Sequence, residues 1–85
     1  MDKQIIFGIK ISNRFQNVPH LQAILTEYGC NIKTRLGLHD VSETSCSPNG
    51  LLILEMYGET ATIEEMEAKL KSVPGIDIQK MVFGR

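Results

Sequence analysis

Two segments with helical hydrophobic spacing each lie between segments that alternate apolar and polar residues, and that order restricts the chain to few arrangements. In residues 4–12 (QIIFGIKIS), Ile5, Phe7, Ile9 and Ile11 fall on one face of a strand. In residues 18–28, Val18, Leu21, Ile24, Leu25 and Tyr28 recur at helical spacing. Asn17 is the expected N-cap of that helix, Pro19 its first-turn proline and Gly29 its stop. Residues 31–39 alternate again through Ile32, Thr34, Leu36 and Leu38. An eleven-residue polar loop, 40–50, is expected next; its end, Ser47-Pro48-Asn49-Gly50, has the chemistry of a type I turn. Leu51 to Tyr57 is the most apolar strand and is expected at the centre of the sheet.

Thr62 to Val73 reads as the second helix, with a Thr62–Glu65 capping box and a buried stripe of Ile63, Met66, Leu70 and Val73. Glu64, Glu65 and Glu67 are expected in its first turn, where they complement the helix dipole. Pro74-Gly75 ends it, and Ile76 to Phe83 is the last strand. Right-handed crossovers place both helices on one face. The fold class is therefore α+β: a ferredoxin-like βαββαβ unit with a four-stranded antiparallel sheet and two helices on one face. Eighty-five residues correspond to a single domain, 1–85.

One layer of helices leaves the other sheet face open. Ile5, Phe7, Ile9, Leu36, Leu38, Leu52, Leu54, Met56 and Ile78 are expected to face the helices. Alternation sends Ile6, Gly8, Lys10, Lys33, Arg35, Gly37, His39, Ile53, Glu55, Tyr57, Met81 and Phe83 outward. That mixture is greasy for a solvated surface, and so short a chain has little core. Self-association through this face or an edge strand, as a dimer or tetramer, is the expectation.

Composition narrows the partners. A net charge of −1 provides no electrostatic footprint for nucleic acid or a membrane surface. The sequence shows neither a membrane-length apolar run nor a signal peptide's apolar stretch, so a cytoplasmic protein is expected. Cys30 and Cys46 are then free thiols, with Cys30 expected as a small buried residue.

The stretch "HLQAILTEYGCNIKTRLGLHDV" resembles an ACT-like domain, with a helix, a Gly and an Asn-Ile pair leading into the second strand. Arg35-Leu36-Gly37-Leu38-His39-Asp40-Val41, Cys46-Ser47-Pro48-Asn49-Gly50-Leu51 and Pro74-Gly75-Ile76 are more particular. They resemble the small stand-alone ACT-like proteins called iron-only hydrogenase system regulators, distant relatives of the ligand-binding domain of the nickel-responsive repressor. The resemblance spans nearly the whole chain. It implies oligomers built by pairing sheets and a regulatory or ligand-sensing role. The Asp-Arg-Pro-Gly type turn of amino-acid-binding ACT domains is replaced here by Ser12-Asn13-Arg14-Phe15-Gln16-Asn17, which argues against amino-acid binding.

Candidate ligand-binding residues are Arg35, Gly37, His39, Cys46 and Tyr57. Arg35, Gly37 and His39 are expected to outline a polar groove beside Tyr57 on the open face. Two roles compete for Arg35: a two-point clamp on a carboxylate or phosphate, and a cross-strand pair with Glu55, which is favoured as a common sheet stabiliser. The loop carries Cys46 and is read either as a binding segment or as a solvated flap against a neighbouring subunit. His39 and Cys46 suit a soft metal, but two ligands fall short of a tetrahedral site without help from His20, Cys30, a carboxylate or a second copy.

No nucleophile–base pair is evident, and an acylphosphatase-like hydrolase would need a Gly-rich cradle that Asn13 to Asn17 lacks. The chain is therefore not expected to be an enzyme. RNA binding needs exposed aromatics on central strands in basic surroundings; DNA binding needs an inserted arginine-bearing helix or ribbon. The expected function is a regulatory ACT-like domain that oligomerises and binds a small effector or metal between subunits, of unknown identity. The alternatives are a structural oligomerisation module without ligand and, third, the small hydrolase.

Overall fold

The computed structural model describes residues 3–12, 14–41 and 46–84; side chains at 14–18, 38–41 and 46–49 are outside the description. Strand β1 (Lys3–Ile11) is followed by helix α1 (Arg14–Glu27), a 3-10 turn (Gly29–Asn31), β2 (Ile32–Val41), β3 (Cys46–Met56), α2 (Thr60–Lys71) and β4 (Ile76–Gly84). The sheet order is β2-β3-β1-β4, with every neighbour antiparallel. This is the ferredoxin-like α+β fold, with β1 and β3 at the centre.

The core follows the expected periodicities. Ile5, Phe7, Ile9 and Ile11 of β1 and Leu52, Leu54 and Met56 of β3 are buried against Leu21, Ile24, Leu25 and Tyr28 of the α1 segment. Ile63, Met66, Leu70 and Val73 close the core from the α2 side. Each large side chain fully buried here contributes about 1.5–3 kcal/mol relative to leaving it in water.

Several local expectations are corrected. Helix α1 begins at Arg14, so Asn17 lies inside it and Pro19 is an interior residue. Arg14 to Asn17 is helix rather than a free turn. Helix α2 begins at Thr60 after Glu59, so Thr62 does not cap it, and its first turn holds no acidic residue. Glu64, Glu65 and Glu67 come a turn later, and two of them are tied to other elements. Tyr28 Oη donates to Glu65, and Lys80 Nζ donates to Glu67 at 2.9 Å. Cys30 is exposed, not buried.

The long loop is also corrected. β2 runs on to Val41, opposite Cys46 at the start of β3, and His39 stands opposite Gly50. Ser47-Pro48-Asn49-Gly50 is strand, not turn. The sheet tolerates Pro48 because β3 pairs with β1 only from Gly50 onward, so one side of β3 has no ladder partner there. Only residues 42–45 separate the two strands, and they lie outside the described residues.

The register of β2 is the most consequential difference. Ile32 stands opposite Met56, but Thr34 stands opposite Glu55, so Lys33 is an extra residue on the β2 side. Such a bulge reverses the alternation. Beyond it Arg35 aligns with buried Leu54 and Gly37 with buried Leu52, while Leu36 aligns with Ile53. Directly opposed residues share a face, so Arg35 and Gly37 lie on the helix side and Leu36 on the open side. Leu36 is accordingly exposed. Leu38 stands opposite Leu51 in the same register, and its side chain is outside the description.

Candidate functional site

The bulge breaks up the expected groove. Arg35 reaches Gln22 of α1, its Nη2 donating at 3.2 Å. It therefore does not pair with Glu55. Gly37 does not permit a close approach: a Cβ built there would meet Leu52 Cδ1 at 3.9 Å, an ordinary contact. The irregularity a strand glycine often marks falls at Lys33 instead. Tyr57 is exposed just past the end of β3, away from Arg35 and Gly37. The side chains of His39 and Cys46, the expected metal pair, lie outside the described residues. Among the described residues no group of three metal-ligating side chains forms.

A different constellation forms around Glu55. It stands opposite Ile6 in β1 and Thr34 in β2, on the open face. Gln4 Nε2 donates to its Oε2 at 2.9 Å, Thr34 Oγ1 donates to its Oε1 at 2.9 Å, and Lys33 Nζ stands 3.9 Å from Oε2. The Gln4 and Thr34 hydrogen bonds, with the Lys33 charge, hold the Glu55 carboxyl below the usual glutamate value. The bulge supplies two of these partners. Without the irregularity Lys33 would stand directly opposite Glu55; with it Thr34 takes that place and Lys33 remains beside it.

Lys3, Gln4, Lys33, Glu55, Met56, Tyr57 and Gly58 line a shallow cup of about 250 Å³ at this end of the sheet. Its rim is stiffened by Asn31. Asn31 O accepts from the Tyr57 N–H at 2.7 Å, and Asn31 Nδ2 donates to Tyr57 O at 3.0 Å. Gly58 follows with φ of 108°, and a Cβ there would lie 2.6 Å from Asn31 Nδ2. Only glycine combines that dihedral with that space. The cup presents one fixed carboxylate flanked by two lysines. Each carboxylate oxygen accepts one hydrogen bond from the chain, and the lowered pKa makes Glu55 a weak base.

Residue spacing alone did not point to this cup. Glu55 and Lys33 were each recognisable as outward-facing, but their convergence depends on a one-residue bulge. A second cluster has no signal in the residue spacing: Lys69 Nζ lies 2.7 Å from Glu27 Oε2 and 5.1 Å from the centroid of the Tyr28 ring, linking α1 to α2. The Glu27 hydrogen bond raises the Lys69 pKa, and the Glu65 hydrogen bond raises that of Tyr28. This cluster joins the two helices.

On the open face the side chains of Leu36, Leu51, Tyr57, Met81 and Phe83 are between 39% and 60% exposed. Ile6 and Ile53 lie among them, half-buried, and Gly8 leaves a dip between Ile53 and Gln79. No described helix is long and apolar enough to cross a membrane.

No protein-family model matches the chain, and no curated protein matches it. Solved structures do. An uncharacterized protein, TM1266 from Thermotoga maritima, superposes with a TM-score of 0.81 at 19% identity, over 96% of this chain and 99% of that one. A formyltetrahydrofolate deformylase from Pseudomonas putida KT2440 matches with a TM-score of 0.50 at 13% identity, over 94% of this chain but 28% of the deformylase. At such identities the likeness is one of fold: the chain is similar to both in its ferredoxin-like βαββαβ architecture.

Proposed function

We propose that this chain is a non-catalytic regulatory ACT-like domain that assembles with copies of itself and takes a small effector near the Glu55 cup. The observation carrying this reading is the set of exposed apolar side chains on the helix-free face, Leu36, Leu51, Tyr57, Met81 and Phe83. Exposed apolar surface concentrated on one sheet face marks an interface more often than a solvated surface, and a chain of 85 residues gains much from extra burial. The regulatory part draws on the sequence resemblance to the iron-only hydrogenase system regulators. The effector part draws on the cup, whose glutamate is pre-oriented by Gln4 and Thr34. Tyr57, at its rim, is the residue shared with the ligand site expected from sequence. Arg35 and Gly37 have no part in this cup; a metal at His39 and Cys46 is a separate version of the same reading.

Light scattering on the purified protein tests assembly, and a thermal-shift screen tests the effector. A ligand that binds the native state raises the melting temperature, by an amount that grows with its concentration over Kd. The expected result is an oligomer stabilised by at least one small polar metabolite or divalent metal, with the metabolite response lost in Glu55→Gln and the metal response lost in Cys46→Ser. A monomer at high concentration overturns the reading. An oligomer that no metabolite, nucleotide or metal stabilises supports the second reading, a structural module without ligand. One observation favours that alternative: both oxygens of Glu55 already accept a hydrogen bond within its own chain.

A further inference from the structure

Two backbone irregularities converge on one end of the sheet. In a regular strand Lys33 and Thr34 would point to opposite faces. The bulge lets both approach Glu55, with Thr34 Oγ1 at 2.9 Å and Lys33 Nζ at 3.9 Å. Bulges recur beside binding and active sites because they re-aim a side chain in this way. On the β3 side Gly58 takes φ of 108°, and Asn31 holds both backbone polar groups of Tyr57. The cup lies where β1 begins and β3 ends, at the opposite end of the sheet from the β1–α1 junction.

The charges of the cup are unequally matched. Glu55 takes its two hydrogen bonds from neutral groups, Gln4 and Thr34. Lys33 Nζ stands beyond hydrogen-bond range of the same carboxylate, and its side chain is 64% exposed. An ammonium carries three donors, so Lys33 can take a further partner without leaving Glu55. Lys3 is a second exposed ammonium on the same lining. Two lysines against one glutamate leave the cup with one net positive charge.

That balance selects among ligands. A metal cation or an amine brought to Glu55 would meet the Lys33 charge, which already faces Oε2. An anionic oxygen would meet two ammonium groups and one carboxylate. Each Glu55 oxygen accepts one hydrogen bond within the chain and keeps a second lone pair, which can take a hydroxyl donor. The exposed ring of Tyr57 supplies a flat wall. A volume of about 250 Å³ is room for about eight water-sized groups, which fits a compact molecule and not a dinucleotide.

We propose that the cup binds a small hydroxylated oxyanion, a phosphate ester or carboxylate of a few carbons. Its anionic group lies between Lys3 and Lys33, and a hydroxyl donates to Glu55. The proposal rests on the effector part of the reading above and names the chemical class of that effector. Glu55 supplies selectivity: its charge opposes a bare anion, so the molecule held best is one whose hydroxyl offsets that repulsion.

Proton–nitrogen correlation NMR of the full chain tests this, with glycerol phosphate, glycerate, methyl phosphate, glycerol and putrescine as the probes. Glycerol phosphate and glycerate separate the phosphate ester from the carboxylate. At least one of them is expected to move the backbone signals of Glu55, Tyr57 and Gly58, while glycerol and putrescine leave them still. Glycerol phosphate is expected to bind more tightly than methyl phosphate; equal affinities overturn the hydroxyl contact to Glu55. Lys3→Gln and Lys33→Gln are each expected to weaken binding about tenfold, the size of one charge-assisted hydrogen bond. Both side chains are exposed, so neither change disturbs the core. Lys10→Gln is the control, on a residue paired with Asp77 towards the other end of β1, and is expected to leave binding unchanged. Affinities within a factor of about two of the parent in both cup variants overturn the site. A neutral or cationic compound that occupies the cup while both hydroxylated anions leave it still overturns the anion class and spares the effector reading. If no compound of this set or of the thermal-shift screen binds, both fall.

Discussion

Replacing Gly58 with alanine probes the hinge between β3 and α2, and its cost is the sum of two effects. The backbone there has φ of 108°, which an L side chain rarely adopts. Holding alanine in such a region costs about 1–3 kcal/mol. The new methyl would also fall 2.6 Å from Asn31 Nδ2. Asn31 cannot simply swing aside, because that same nitrogen donates to Tyr57 O at 3.0 Å; moving it forfeits about 0.5–1.5 kcal/mol. Together the loss is about 3 kcal/mol, or roughly 12–24 °C in Tm for a domain of this size. Urea unfolding followed by circular dichroism measures it, and a double-mutant cycle separates the shares. In an Asn31→Ala background the clash disappears, so Gly58→Ala then costs about 1 kcal/mol less than in the parent. A cost below about 0.5 kcal/mol in the parent would show that the strand end relaxes freely. An identical cost in both backgrounds would show that Asn31 plays no part.

Three further outcomes follow from the geometry. Leu54→Ala, at a fully buried central position, is expected to lose about 2–5 kcal/mol in urea unfolding; a loss under 1 kcal/mol contradicts the core assignment. A double-mutant cycle between Arg35 and Glu55 is expected to give coupling within about 0.3 kcal/mol of zero, since they lie on opposite faces; measurable attraction would restore the cross-strand pair and refute the bulge. The Lys80 hydrogen bond, with help from Lys71, lowers the Glu67 pKa from its usual value of about 4.5. A lowered folded value means stability that is whole above that pH and lost as pH falls through the folded pKa. Melting temperature against pH is therefore expected to fall less steeply below pH 4.5 in Lys80→Met than in the parent, and parallel curves would argue that the pair contributes nothing.

Periodicity made most of this fold legible because the central strands bury one face completely. In β1 and β3 a one-residue slip would expose Phe7 or Leu54, so alternation and structure agree. The buried stripe of α2 and that of α1 from Leu21 to Tyr28 are also read correctly; Val18 lies outside the described side chains. Helix starts are not: α2 begins at Thr60 after Glu59, which makes no side-chain cap hydrogen bond, and α1 begins at Arg14, ahead of the expected cap at Asn17. The hairpin length also escaped the reading. Ser47-Pro48-Asn49-Gly50 has turn chemistry, but β3 there needs a partner only on the β2 side, and a strand with one free side accepts proline.

The site was misplaced by a single residue. In the sequence, Ile32, Thr34, Leu36 and Leu38 form a clean alternation, and nothing in their chemistry announces that it breaks at Lys33. An edge strand pays little for such a break, because no strand lies beyond it to be thrown out of register. The consequence is larger than the cause. The bulge trades Arg35 for Leu36 on the open face and so removes a charge from the surface that the sequence already marked as greasy. It also moves Thr34 across from Glu55, turning an expected ion pair into a hydrogen-bonded carboxylate at the rim of a cup. The same irregularity that makes β2 a poor edge for joining another chain thus also makes the open face more apolar.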